Sequence, residues 1–235
     1  MARRPTRRVM IAALCAAPAA RFDARAVDPF DIPLADGGFA RLGGVLPARA
    51  AAPAEDAGAY DAAASEMLAA GGFLASGVDF SHRWGRATGA GAEAARAALL
   101  TAGLAIAEPG GWEEGAAARL QLERAARKAR RGLWAERAFA PAPARDAWPR
   151  IGFYAIVRGR PVETAVISRR RYLNFDDDYR RDFTAVVERE NARAFAETDF
   201  DAAIGADVEV RGWVELWNGP LIRLRSPLQL RTLGA

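Results

Sequence analysis

Apolar residues recur along this chain at two spacings, and the change from one to the other divides it. Up to about residue 138 the helical period leads. From Ala54 to Ala70, the positions Tyr60, Ala64, Met67 and Leu68 fall on one stripe, and Gly71-Gly72 predicts the stop. A second helix is predicted over about 92–102, with Ala95, Leu99 and Ala102 on one face and Gly103 as its end. A third, about 114–131, sets Leu122, Ala126, Ala129 and Leu133 on its apolar stripe. Its other face carries Arg119, Glu123, Arg124, Arg127, Lys128 and Arg131, with Glu123 and Arg127 spaced for an i,i+4 pair. Such a charge run predicts a solvated face, and a basic amphipathic helix is also able to bind nucleic acid or a membrane surface. Short strands precede and separate the helices: Leu34 to Phe39 with a turn at Asp36-Gly37-Gly38 and a return strand through Val45, and then Phe73 to Phe80.

Beyond the stretch Phe139-Ala-Pro-Ala-Pro-Ala-Arg-Asp146 the period becomes two. Strands are predicted at 151–157, 162–168, 172–175, 183–187, 208–217 and 221–224, with a helical interval near 191–204 and a hairpin turn at Asn218-Gly219. A run of strands interrupted by one helix before a final hairpin suggests a small OB-type barrel. The proline-alanine stretch reads as a stiff, extended joint. The expected organisation is therefore a leader at 1–20, a first domain at 22–138, a linker at 139–148 and a second domain at 149–235. The length of 235 residues and the 51% hydrophobic content can build a packed core for each domain.

Charge changes this picture only locally. The formal net charge of +4 equals the four arginines of the first twenty residues, Arg3, Arg4, Arg7 and Arg8, which no acid accompanies. The rest of the chain is nearly neutral, so a polyanion site would have to come from local arginine clustering rather than from the overall field. The leader, with its arginines, the apolar run Val9 to Ala20 and small residues at Ala17-Pro18-Ala19, reads as an export signal, and Thr6-Arg7-Arg8 suits a twin-arginine route as well as the general one. Its apolar run is too short to span a bilayer, and no transmembrane segment is expected. The protein is expected to be periplasmic or secreted. Cys15 is the only cysteine, so the chain without its leader has no disulfide and no thiolate metal site.

Four stretches in order carry a resemblance. They are Arg41-Leu42, Trp84-Gly85-Arg86, the run Leu99, Gly103, Leu104, Ala105, and Glu123-x-x-Ala126-Arg127 followed by Gly132-Leu133-Trp134. Together they resemble the staphylococcal-nuclease-like (thermonuclease) family over roughly 22–138. The resemblance implies a five-stranded OB-type barrel with helices packed on it for 22–138, and with the barrel suggested by the strand pattern beyond the linker the expected fold is β-rich α+β with two five-stranded OB-type barrels. The resemblance also implies phosphodiester hydrolysis with calcium, carboxylate ligands, a water-activating glutamate and two phosphate-clamping arginines. The arginines match Arg41 and Arg86. Leu46 stands where an acid is expected, Ala48 and Arg49 stand at the Pro-Glu pair, and the upstream acidic motif is reduced to Asp28-Pro29-Phe30-Asp31. A cation at Arg49 can neither accept a proton near neutral pH nor neighbour calcium.

The reading is a degenerate nuclease in which Arg41, Arg86 and Arg49 bind an anion, with no confident catalytic residue, no metal ligand and no cofactor. The opposing reading makes Arg41 and Arg86 structural ion-pair partners. Calcium returns only if Asp28, Asp31 or Asp36 rebuilds a carboxylate site, which would make the chain an active phosphodiesterase, and a protein-interaction scaffold of the envelope is the third alternative. In the second domain Arg169, Arg170, Arg171, Tyr172, Phe175 and Trp213, with Tyr179 and Trp217, combine basic and aromatic groups suited to single-stranded nucleic acid. Aromatics at strand spacing also suit a core, and Asp176 to Asp178 would repel a phosphate backbone. Those aspartates read as a solvated turn or, less readily, a cation site. His82, the only histidine, reads as an exposed loop residue.

Overall fold

A computed structural model describes residues 30–36, 38–80, 85–110, 114–176, 178 and 183–234. The leader, Asp28, Gly37, His82, Trp84, Asp177 and Tyr179 lie outside the described residues. The chain is β-rich with packed helices and forms two compact units, one of residues 1–107 and 121–135, the other of 108–120 and 136–235.

In the first unit, β1 (Asp31–Pro33) pairs antiparallel with β2 (Phe39–Arg41), as Leu34 N–H closes the turn onto the Gly38 carbonyl at 2.9 Å. The return strand does not continue through Val45. Gly43-Gly44, with Gly44 at φ 80°, turns the chain, and β3 (Val45–Leu46) pairs instead with β6 (Ile106–Ala107). β4 (Gly77–Asp79) and β5 (Arg86–Thr88) complete a sheet of order β1-β2-β5-β4. Among the described residues the unit thus holds a four-stranded sheet and a separate strand pair, where a five-stranded OB-type barrel was expected.

Helix α1 (Ala54–Ala70) buries Ala57, Ala64 and Leu68 and ends at Gly71, whose N–H bonds the Met67 carbonyl. Helix α2 (Ala90–Ala102) buries Ala92, Ala95, Arg96, Leu99 and Leu100, and Gly103 caps it in the left-handed conformation at φ 71°. Helix α3 (Ala116–Lys128) is rotated from its expected setting. Its buried stripe is Ala116, Arg119, Leu120, Glu123 and Ala126, whereas Ala129 is exposed, so the face expected to be solvated buries two charges. Glu123 tolerates this because its Oε2 accepts the Ala107 N–H at 2.8 Å and its Oε1 lies 3.6 Å from Arg127 Nε. Arg127 in turn lies over the Trp134 ring at 5.8 Å, and Leu133 N–H bonds the Gly103 carbonyl at 2.9 Å. The Glu-x-x-Ala-Arg and Gly-Leu-Trp pieces therefore act together as a structural clasp.

The second unit is built on a curled sheet of order β7-β8-β12-β13-β11-β10-β9, with β14 also on β12. Its strands are β7 (Ala142–Pro143), β8 (Tyr154–Gly159), β9 (Glu163–Ile167), β10 (Arg170–Asn174), β11 (Thr184–Val187), β12 (Val208–Trp217), β13 (Gly219–Leu224) and β14 (Leu230–Thr232). Pairing is antiparallel except at β7–β8 and β11–β13. The expected linker is part of this fold: β7 pairs with β8, and Phe139, Ala142 and Ala147 are buried. Alanine and proline at 139–148 spell a joint by composition, yet small side chains also allow close packing of an edge segment. The helical interval is a pair of 3-10 turns, Arg189–Phe195 and Asp201–Ala203, which contribute Phe195, Phe200 and Ala203 to the core. Around them pack Val157, Leu173, Phe183, Val187, Val208, Val210, Val214, Ile222 and Leu224. The alternation of these positions sets the inner face of every long strand.

Candidate functional site

Arg41 closes β2 and Arg86 opens β5. The two strands run parallel with Arg41 and Arg86 as direct partners. Asp31 is the partner of Arg41 across β1–β2, and Asp79 is the partner of Arg86 across β4–β5. Directly opposed residues project from the same face of a sheet. The four strands therefore line up one charged row, Asp31, Arg41, Arg86, Asp79, with the cations side by side at its centre. Asp79 escaped the sequence reading. The signal available was hairpin symmetry, since Asp79 ends β4 and Arg86, its antiparallel partner, begins β5.

The spacing of the two arginines is fixed from below by Arg96, a fully buried side chain of α2. Its Nε donates to the Gly43 carbonyl at 2.7 Å, its Nη2 to the Ala87 carbonyl at 2.6 Å, and its Nη1 to Glu93 Oε1 at 2.6 Å. One guanidinium thus ties the chain just after Arg41 to the chain just after Arg86. Gly43 also makes room for the site: a Cβ there would sit 2.9 Å from Arg86 Cδ. Arg96 was legible only as a helix position between Ala95 and Leu99, where an arginine ordinarily points to water.

Arg49 has a different attachment. It lies in a 3-10 turn, Ala48–Ala50, with its Nη1 3.7 Å from Asp61 of α1, and Asp61 Oδ1 accepts the Ala48 N–H at 2.7 Å. Burial pushes the Asp61 carboxyl above its ordinary range, against the opposing pull of Arg49 and the Ala48 and Arg49 N–H groups. Leu46, at the expected acidic position, lies in β3 opposite Ile106. Among the described residues no three acidic, histidine or cysteine side chains converge as a metal centre requires.

In the second unit the candidate binding residues separate. Arg171 shares the inner face with Leu173 and lies over the Phe200 ring at 5.1 Å. Phe175 packs edge-on to Phe183, with centroids 5.0 Å apart, against the core. Both serve packing. Arg169 sits at φ 64° in the exposed turn that follows β9. Arg170, Tyr172 and Trp213 lie on the outer face, where Trp213 meets Tyr154 edge-on at 5.9 Å. That face is crossed by an ion-pair ladder. Glu188 binds both Arg170, at 2.5 Å, and Arg223, and Arg223 Nε also reaches Glu215 at 3.1 Å. Beside it, buried Glu209 holds Arg158 at 2.8 Å, with Arg211 and Arg231 each 3.6 Å away. Asp178 N–H bonds Asp176 Oδ1 at 3.2 Å, a local turn.

No described helix is long and apolar enough to cross a membrane. No protein-family model matches the chain, and no curated protein matches it either. Among solved structures the chain is similar to asparaginyl-tRNA synthetase from Pyrococcus horikoshii, at 17% identity over 41% of this chain, with a TM-score of 0.31. The matched part spans 24% of the synthetase chain, and a likeness of this size leaves the reading of the site to its own geometry.

Proposed function

We propose that the chain is an exported, nuclease-like binding protein whose first unit clamps a phosphate of single-stranded nucleic acid, or of another polyanion, between Arg41 and Arg86 without hydrolysing it. The observation that carries this reading is the direct pairing of the two arginines on one sheet face. Like charges directly opposed in a sheet are destabilising. An anion lying across both guanidinium groups turns that cost into two charge-assisted contacts. Asp31 and Asp79 balance the row from outside, which keeps the pair folded when no anion is bound.

We further infer that the second unit is an OB-type barrel. Taking β8 and β9 as the halves of one bent strand, the pairing order β9-β10-β11-β13-β12-β8 brings the first strand of five back against the fourth. Its outer-face arginines already hold carboxylates, so it adds little to polyanion affinity, and the first unit supplies most of it.

Calcium-dependent hydrolysis is the second reading, and because Asp31 and Asp79 stand three strand spacings apart it would have to be built on one of them beside its neighbouring arginine. One experiment separates the two. Labelled single-stranded DNA and RNA are incubated with the protein in calcium or in chelator, beside the Arg41→Ala, Arg86→Ala double variant. Binding reading: complex forms in both buffers, no cleavage occurs, and the variant binds about tenfold or more weakly. Calcium-dependent cleavage lost in the variant would establish hydrolysis instead, and equal binding by variant and parent would remove the clamp.

A further inference from the structure

Among the strands of the second unit, β9 offers an edge with exposed apolar side chains. β9 stands at the end of the pairing order and is paired only with β10 among the described residues. Its side chains are unusually exposed for their kind: Val166 and Ile167 are each 61% accessible, and Val162, just before the strand, is 46% accessible. Natural edge strands are ordinarily blunted by a charge, a proline or a bulge within the strand. β9 carries a charge only at its first residue, Glu163, and from Thr164 to Ile167 there is no charge, proline or bulge.

The charges lie at the two ends instead. Glu163 opens the strand, and Arg169 and Arg170 follow it, all three exposed. This polarity selects the partner. In an antiparallel pairing of the strand with itself, the acidic start of one copy lies against the basic end of the other, and the same contact repeats across the two-fold axis. We propose that β9 is a self-complementary docking edge at which two copies of this chain pair antiparallel about Val166, with Val166 against its own counterpart on one sheet face, Ile167 on the other face, and Glu163 facing the partner copy's Arg169. The contact is isologous and closes as a dimer. Five residues of edge bury far less than the roughly 1,600 Å² of a standard stable interface, so the dimer is weak, with a dissociation constant on the order of 10 μM or above. This inference is independent of anion binding at Arg41 and Arg86.

Sedimentation equilibrium of the full chain tests it, up to about 1 mM protein. The expected result is concentration-dependent dimer for the parent, about tenfold weaker dimer for Glu163→Arg and for Arg169→Glu, and recovery when both substitutions are present together, because the swap restores complementarity. Val166→Lys, which sets a charge on the open edge, is expected to give monomer. All four variants change exposed side chains, and circular dichroism confirms that each is folded. A parent that stays monomeric throughout overturns the proposal, as does a dimer that none of the variants weakens or a double variant no stronger than its parents.

Discussion

Arg96 is the buried charge on which the first unit's site geometry rests. A buried guanidinium persists only when its donors are matched, and this one spends them on two backbone carbonyls and Glu93. Arg96→Met keeps much of the volume but leaves the Gly43 and Ala87 carbonyls without this donor. The expected loss is about 3 kcal/mol in chemical denaturation. Arg96→Lys recovers only part of it, because one ammonium cannot reproduce the planar fork.

Asp61 gives a prediction of opposite sign. Its folded pKa lies above the unfolded value because burial opposes the charge, so the folded state binds the proton more tightly. Its contribution to stability is therefore greatest at acidic pH and declines as pH rises from the ordinary aspartate range through the raised folded value. Asp61→Asn keeps an acceptor for the Ala48 N–H and has no charge to desolvate. Thermal unfolding of this variant, followed from acidic to neutral pH, is expected to lack that part of the parent's decline. A parent and variant with identical pH profiles would refute the burial account.

At the scale of elements, the turn after β2 links stability to the site. Gly43→Ala places a methyl where the Arg86 side chain lies. Because the obstructing group is the flexible stem of an arginine, the expected cost in stability is under about 1 kcal/mol. Arg86 nevertheless has to move, and polyanion affinity, measured by fluorescence anisotropy, is expected to fall several-fold. The helices of this unit were largely legible in the sequence, because glycine stops at Gly71 and Gly103 and apolar spacing are local signals. The setting of α3 was not: its buried face is chosen by Glu123 finding the Ala107 N–H, a contact sixteen residues away that periodicity does not encode. The same holds for the row of charges. Arg41 and Arg86 could be singled out one by one, whereas their partnership depends on a parallel β2–β5 pairing made across α1. In the second unit the strands were readable by alternation and the Asn218 turn by its chemistry, with Asn218 at φ 64°. Which aromatics face inward was not readable: Tyr172 and Phe175, three positions apart, take opposite faces on a two-residue period, and only the register says which of them meets the core.

At the scale of the whole molecule, charge distribution makes the binding proposal quantitative. The arginines of residues 1–20 account for the formal net charge, so the chain without them has almost no long-range attraction for a polyanion. Affinity then depends on the few phosphates that are contacted directly. For single strands each neutralised phosphate contributes about −0.7 to the slope of log affinity against log salt. With one phosphate clamped between Arg41 and Arg86, residues 21–235 are expected to show a slope of about −0.7. The Arg41→Ala, Arg86→Ala variant should lose most of both affinity and slope. A slope several times steeper, unchanged in that variant, would move the interaction to arginines elsewhere, and the Arg158, Arg211 and Arg231 group around Glu209 is the next place to substitute. Substituting Glu188 tests the remaining possibility directly. Glu188→Gln releases Arg170 and Arg223 from their shared carboxylate, so if the outer face of the second unit contributes only when unmasked, this variant binds more tightly and with a steeper slope than the parent. If the first unit acts alone, affinity and slope stay at the parent values while stability drops by about 1–3 kcal/mol from the loss of the ion pairs.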